Sequence, residues 1–132
     1  GKEFIKLYGS HIPYLTSFNK KHLTKHGVKR RHITKTEIDV LSPITLLNKY
    51  NIKSFDLLVV DTEGFDNVIV ENFLKLDIKK LIIIFEWIHI DKKKLEDLCD
   101  KFSKRNYKLF KVEKDVLCIP NDVKLQLRIS EQ

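Results

Sequence analysis

The sequence predicts an α/β fold: a mainly parallel sheet flanked by helices and closed by an antiparallel C-terminal hairpin. Three observations carry that expectation. From residue 36 onward, short apolar runs alternate with stretches of helical periodicity, which demands parallel strands joined by crossovers. Two of the runs, Leu57 to Val60 and Leu81 to Phe85, are apolar throughout and end in a carboxylate, as strands buried on both faces do. The last two runs are close enough together to form a hairpin.

Taken in order, Glu37 to Leu41 alternates polar and apolar residues, as a half-buried strand does. Ser42-Pro43 then supplies an N-cap and a first helical proline, with Leu46, Leu47 and Tyr50 at helical spacing and Asn51 as a stop. Phe55 to Asp61 is the first buried strand. Asp66 or Asn67 caps a helix running to about Leu76, and Lys80 to Glu86 is the second buried strand. Asp91 caps a third helix whose apolar face is Leu95, Leu98, Cys99 and Phe102. Tyr107 to Val112 and Val116 to Ile119 form the hairpin, with Glu113-Lys114-Asp115 in its turn.

The ends are less patterned. Phe4, Ile5, Leu7 and Tyr8 suit a short strand, Pro13 breaks the chain, and Ser17 opens a short helix over Phe18 to Leu23. Val123 to Ile129 alternates strictly and reads as an edge strand or a tail. The organisation expected is one domain over 1–132: a basic segment 1–35, an α/β core 36–120, and a terminal strand or tail 121–132.

With 132 residues, 42% hydrophobic and 33% charged, the chain suits one globular domain and has no run long enough for a membrane span. Cys99 and Cys118 are too few and too far apart for a disulfide framework or a zinc cluster. Both read as reduced core residues, which points to the cytoplasm. The net charge of +7 is uneven: residues 1–55 carry 11 Lys/Arg against 3 Asp/Glu, and residues 56–132 carry 14 against 15. The run Lys29-Arg30-Arg31-His32 lies in the basic part. The whole basic stretch from Lys20 to His32 suits either a solvated connecting segment or an attractor for an anionic acceptor such as a sugar-phosphate, glycan or nucleic acid. His22 and His26, four apart, share a helix face, but no third metal ligand stands nearby.

The chemistry is expected at the ends of the two buried strands, because ligands of open α/β sheets bind beyond the carboxyl ends of strands. Asp61, Glu63 and Glu86 stand there, and Gly64 permits a sharp turn or a close approach by a ligand. Acids so placed orient hydroxyls or amines, take a proton or hold a metal; alternatively they cap the next helix or pair with lysines. His89 lies just beyond Glu86 as a further base. Trp87, the only tryptophan, suits either a pocket wall or the core.

The stretch Asp56-Leu57-Leu58-Val59-Val60-Asp61-Thr62-Glu63-Gly64-Phe65 resembles the FkbM-type methyltransferases, whose apolar strand ends in an acid, any residue, Glu and Gly. Ile38 to Leu47 is similar to the family's preceding strand and short helix. Leu81-Ile82-Ile83-Ile84-Phe85-Glu86 is similar to the strand that follows, and Tyr14 to Lys20 to a serine-rich stretch further upstream. In order, the resemblance covers residues 3–119. It implies a Rossmann-like fold and S-adenosylmethionine-dependent methyl transfer to a hydroxyl of a sugar, glycan or other small-molecule acceptor. It also implies Asp61, Glu63 and Glu86 as catalytic, Asp61 and Gly64 at the cofactor, and Glu63, Trp87 and His89 at the acceptor.

One feature of the family is missing. None of the four glycines stands in a Gly-x-Gly turn, and the chain opens on Gly1 without any methionine. The domain is therefore expected to be incomplete at its N-terminus, with the cofactor held mainly by the absent half. Two alternatives remain: a metal-dependent hydrolase using Asp61, Glu63 and Glu86 as hard oxygen ligands, and a non-catalytic basic binding module.

Overall fold

The structure, a computed structural model, describes residues 3–11 and 15–126, with residues 3–5 described by backbone alone. The chain divides into two compact units, 1–52 and 53–132. Pro13, Tyr14 and the last three residues of the expected terminal strand, 127–129, lie outside the described residues, and Val123 to Gln126 belong to no strand.

The first unit is built on a two-stranded antiparallel sheet. Strand β1 (Glu3–Gly9) pairs with β2 (Thr34–Val40), in a register that sets Ile5 opposite Ile38 and Tyr8 opposite Lys35. Between them lie α1 (Lys20–Lys25) and one 3-10 turn, Arg30–His32. Helix α1 is capped by Asn19, whose side chain accepts the N–H of Lys21, rather than by Ser17. The Ser17 hydroxyl instead accepts the N–H of Asn19. Helix α2 (Pro43–Lys49) starts as its sequence dictates, with Ser42 as N-cap and proline at the first position.

The second unit holds a four-stranded sheet in the order β3-β4-β6-β5, formed by β3 (Leu57–Val60), β4 (Ile82–Glu86), β5 (Tyr107–Val112) and β6 (Asp115–Pro120). Helix α3 (Asp66–Leu74) connects β3 to β4, and α4 (Lys92–Lys104) connects β4 to β5. The α/β class and the antiparallel hairpin are as expected; a mainly parallel sheet is not. Among the described strands only β3 and β4 run parallel, while β4 with β6 and β6 with β5 are antiparallel. The reason lies in β2: its alternating pattern specifies a half-buried strand but no partner, and it pairs with β1 in a separate sheet.

Both helices of the second unit pack on one face of its sheet. Val70 and Leu74 of α3 and Leu98 and Phe102 of α4 join Val60, Ile83, Phe85, Val116 and Cys118 in one buried cluster. Phe85 and Phe102 are parallel at 6.1 Å between centroids, and the Tyr107 ring meets Phe102 edge-on at 5.1 Å. The Tyr107 hydroxyl donates to the Leu81 carbonyl at 2.9 Å, which closes the bottom of this core. Cys118 is fully buried and its thiol is held far above the usual range by that burial, whereas Cys99 is half-buried on α4. The opposite sheet face stays open: Leu57 and Val59 are 52% and 61% exposed. No helix among the described residues is long and apolar enough to cross a membrane.

Candidate functional site

The carboxyl ends of the parallel pair β3 and β4 emerge side by side, since Val60 lies opposite Phe85 in the register. Immediately after β3 the chain turns sharply through two left-handed residues, Glu63 at φ 53° and Gly64 at φ 107°. Glycine is required at the second of these, because a φ of 107° is closed to residues with a β-carbon. Space is not the constraint: a β-carbon there would sit 3.5 Å from Cβ of His89, an ordinary contact.

Asp66 holds the turn. It is the first residue of α3 and fully buried, and the cap position before it, Phe65, makes no side-chain cap bond. Its Oδ2 accepts from the Thr62 hydroxyl at 2.9 Å and from the backbone N–H groups of Thr62 and Gly64 at 3.3 Å. Its Oδ1 accepts the backbone N–H of Glu86, also at 3.3 Å. A residue expected merely to cap a helix thus ties the turn after β3 to the end of β4. Sequence reasoning missed that role, although the spacing Thr62-x-Gly64-x-Asp66 carries the signal.

Upon this frame stand the acids. Ligand oxygens of Asp61, Glu63 and Glu86 all lie within 4.8 Å of one another. His89 reaches into the group: its Nε2 is 3.0 Å from Glu63 Oε2 and 3.6 Å from Glu86 Oε2. Burial raises the Glu86 carboxyl above its ordinary range; His89 opposes that rise, and the charges of Glu63, Asp61 and Asp66 add to it. The Glu86 side chain is 13% exposed, and its Oε2 is buried without a hydrogen-bond donor. Glu63, at 44%, faces outward. Asp61, Glu63, Gly64, Glu86 and His89 are therefore brought to one rim.

Trp87 is placed differently. Its indole N–H donates to the Glu113 carbonyl at 3.0 Å, and its backbone N–H donates to the Lys114 carbonyl at 2.9 Å. The Lys111 ammonium lies 4.0 Å from the ring centroid. Both the polar edge and one face of the indole are thus engaged by the β5–β6 hairpin and its turn. The ring anchors that hairpin beside the acids.

A cleft of about 280 Å³ opens at the other end of the sheet, between Phe73, Leu81, Arg105, Tyr107 and Pro120. It is lined by none of the rim residues, and its Asp77 is already paired with Lys79 at 3.0 Å. Titratable groups converge instead at the carboxylate rim, which is therefore the candidate site.

No protein-family model, no curated protein and no solved structure matches the chain.

Proposed function

We propose that this chain is the acceptor-side, C-terminal part of an S-adenosylmethionine-dependent methyltransferase acting on a hydroxyl oxygen of a sugar or other small molecule. The observation that carries this reading is the contact between His89 and Glu63 at the common rim of two parallel strands. Proton transfer from an acceptor hydroxyl needs a base held in place, and a positioned base is worth roughly 10²–10⁴ in rate. Glu63 is the outward-facing carboxylate and takes that proton. His89 fixes its orientation by engaging one of its oxygens at 3.0 Å. Asp61, exposed beside it, orients the acceptor or the cofactor by accepting hydrogen bonds.

The cofactor fits these residues in part. Exposed carboxylates at Asp61 and Glu63 match hydroxyls and an ammonium group, whereas the sequence offers no Gly-x-Gly turn for the rest. When bound, S-adenosylmethionine supplies a methyl group already activated by its sulfonium. The remaining task, performed by this chain's own side chains, is to hold the acceptor and remove its proton.

The test is transfer of labelled methyl to a panel of hydroxylated sugars by the protein that the whole gene encodes. Glu63→Gln is expected to lower kcat by about 10²-fold or more. His89→Gln is expected to lower kcat by less and to leave KM unchanged. Transfer that survives both substitutions overturns the assignment.

A second reading rests on one distance. Three carboxylates whose oxygens lie within 4.8 Å of one another are hard ligands suited to Mg²⁺ or Mn²⁺ in a hydrolase. The close His89–Glu63 contact favours proton transfer over metal binding, because a metal would have to displace that partner. Paramagnetic broadening by Mn²⁺ confined to Asp61, Glu63 and Glu86 would reverse the preference; its absence removes the metal reading.

A further inference from the structure

The boundary between the two units is also a boundary of charge. Residues 1–52 carry 10 Lys/Arg and 3 Asp/Glu, while residues 53–132 carry 15 of each. The whole net charge of +7 therefore belongs to the first unit. We infer that this unit docks the phosphate backbone of a single-stranded nucleic acid along the segment from Lys20 to Lys35.

That segment presents its cations rather than spending them. Lys20, Lys21, Lys25, Lys29, Arg30, Arg31 and Lys35 are all exposed. Among the described residues none of them is ion-paired with an acid, although the second unit pairs Lys79, Lys92, Lys101 and Arg105 with acids. The array is also held in place, which a solvated connector is not. Leu23 of α1 is fully buried and Val28 is 2% exposed, and the Val28 N–H donates to the Leu23 carbonyl at 3.1 Å. The 3-10 turn is fixed by the His32 N–H donating to the Lys29 carbonyl at 2.8 Å. The unit's described acids, Glu37 and Asp39, stand further along β2, beyond Lys35.

Three observations choose the partner. Rings lie among the cations: exposed His32 packs on exposed His11 with centroids 4.6 Å apart, and exposed His26 packs on half-buried His22 at 4.4 Å. Cations interleaved with flat rings suit a phosphate chain whose bases are free to stack. Helix α1 has six residues, too short to read a duplex groove as a recognition helix does. An anionic membrane is disfavoured because, among the described residues, the exposed large apolar ones of this unit, Val40, Leu41, Ile44, Tyr50 and Ile52, all lie in 40–52, outside the basic segment. A helix that binds at a lipid surface needs its apolar face beside its cations.

This inference does not depend on the methyl-transfer reading. Calorimetry with S-adenosylhomocysteine addresses that one, and salt dependence addresses this one. The experiment is fluorescence anisotropy of a labelled single-stranded oligonucleotide with the whole chain, across a series of KCl concentrations. Each phosphate neutralised adds about −0.7 to the slope of log K against log salt, so six contacts give a slope of about −4. Arg30→Ala with Arg31→Ala, both on the exposed turn, is expected to make the slope shallower by about 1.4 and to weaken binding equally across sequences. Circular dichroism of the double variant checks that the fold is kept. An affinity that ignores salt, a slope unchanged by the double substitution, or binding to phosphatidylserine vesicles without binding to the oligonucleotide would each overturn the inference.

Discussion

The backbone N–H of Glu86 donates to Asp66 Oδ1 at 3.3 Å, so the acid that opens α3 also fixes the end of β4. The same carboxylate gathers Thr62 and Gly64 from the turn after β3. The rim is thus held by a buried charge, with Asp61 and Glu63 exposed above it.

Removing Asp66 strands several donors inside the protein. Asp66→Ala is expected to lower unfolding free energy by about 3 kcal/mol, because each buried donor left unsatisfied costs roughly 1–3 kcal/mol. Asp66→Asn, which keeps one carbonyl oxygen, should cost less. Urea unfolding of the two variants checks this, and a loss of less than about 0.5 kcal/mol for the alanine variant would contradict the assigned role.

Gly64 is constrained by its backbone and not by crowding. Gly64→Ala is therefore expected to destabilise by about 1–3 kcal/mol through conformational strain. His89, whose β-carbon would meet the new methyl at ordinary contact distance, should keep its position. Thermal unfolding measures the first point and the His89 chemical shifts the second.

Glu86 gives a signed pH dependence. Burial raises its folded pKa above 4.5, so the folded protein binds this proton more tightly than the unfolded chain. Its contribution to stability is fully present below the unfolded value and is lost as pH rises through the raised one. Glu86→Gln, neutral at every pH, should be more stable than the parent at neutral pH. That advantage should vanish as pH falls below about 4.5. Urea midpoints across that range measure it, and an advantage growing toward acid would contradict the sign.

Trp87 should behave as an anchor of the hairpin. Trp87→Phe keeps a ring beneath Lys111 but loses the donor to Glu113, at a cost of about 1 kcal/mol. Lys111→Ala removes a cation–π contact worth roughly 0.5–1 kcal/mol and should shift the emission of the single tryptophan. An unshifted emission spectrum would place the ammonium elsewhere.

The sequence made β3 and β4 legible because an unbroken apolar run ended by an acid has few other uses, and both helix starts at Ser42 and Asp91 carry recognisable cap chemistry. It did not reveal the partner of β2, since alternation from Glu37 to Leu41 describes one face and not the neighbour on it. Asp61, Glu63 and Glu86 were legible as strand-end acids. The Glu63–His89 contact spans 26 residues of chain and follows from the register of β3 against β4, which no local pattern encodes. Asp66 was misread because a buried acid at the start of a helix looks, in one dimension, like an ordinary cap.

The most direct test of the methyl-transfer account is calorimetric titration of S-adenosylhomocysteine into the protein that the whole gene encodes. The account predicts saturable binding that weakens in Asp61→Asn, with binding to the present chain alone weak or undetectable. A whole protein that releases no heat with S-adenosylhomocysteine, and is not stabilised by it against unfolding, would contradict the account.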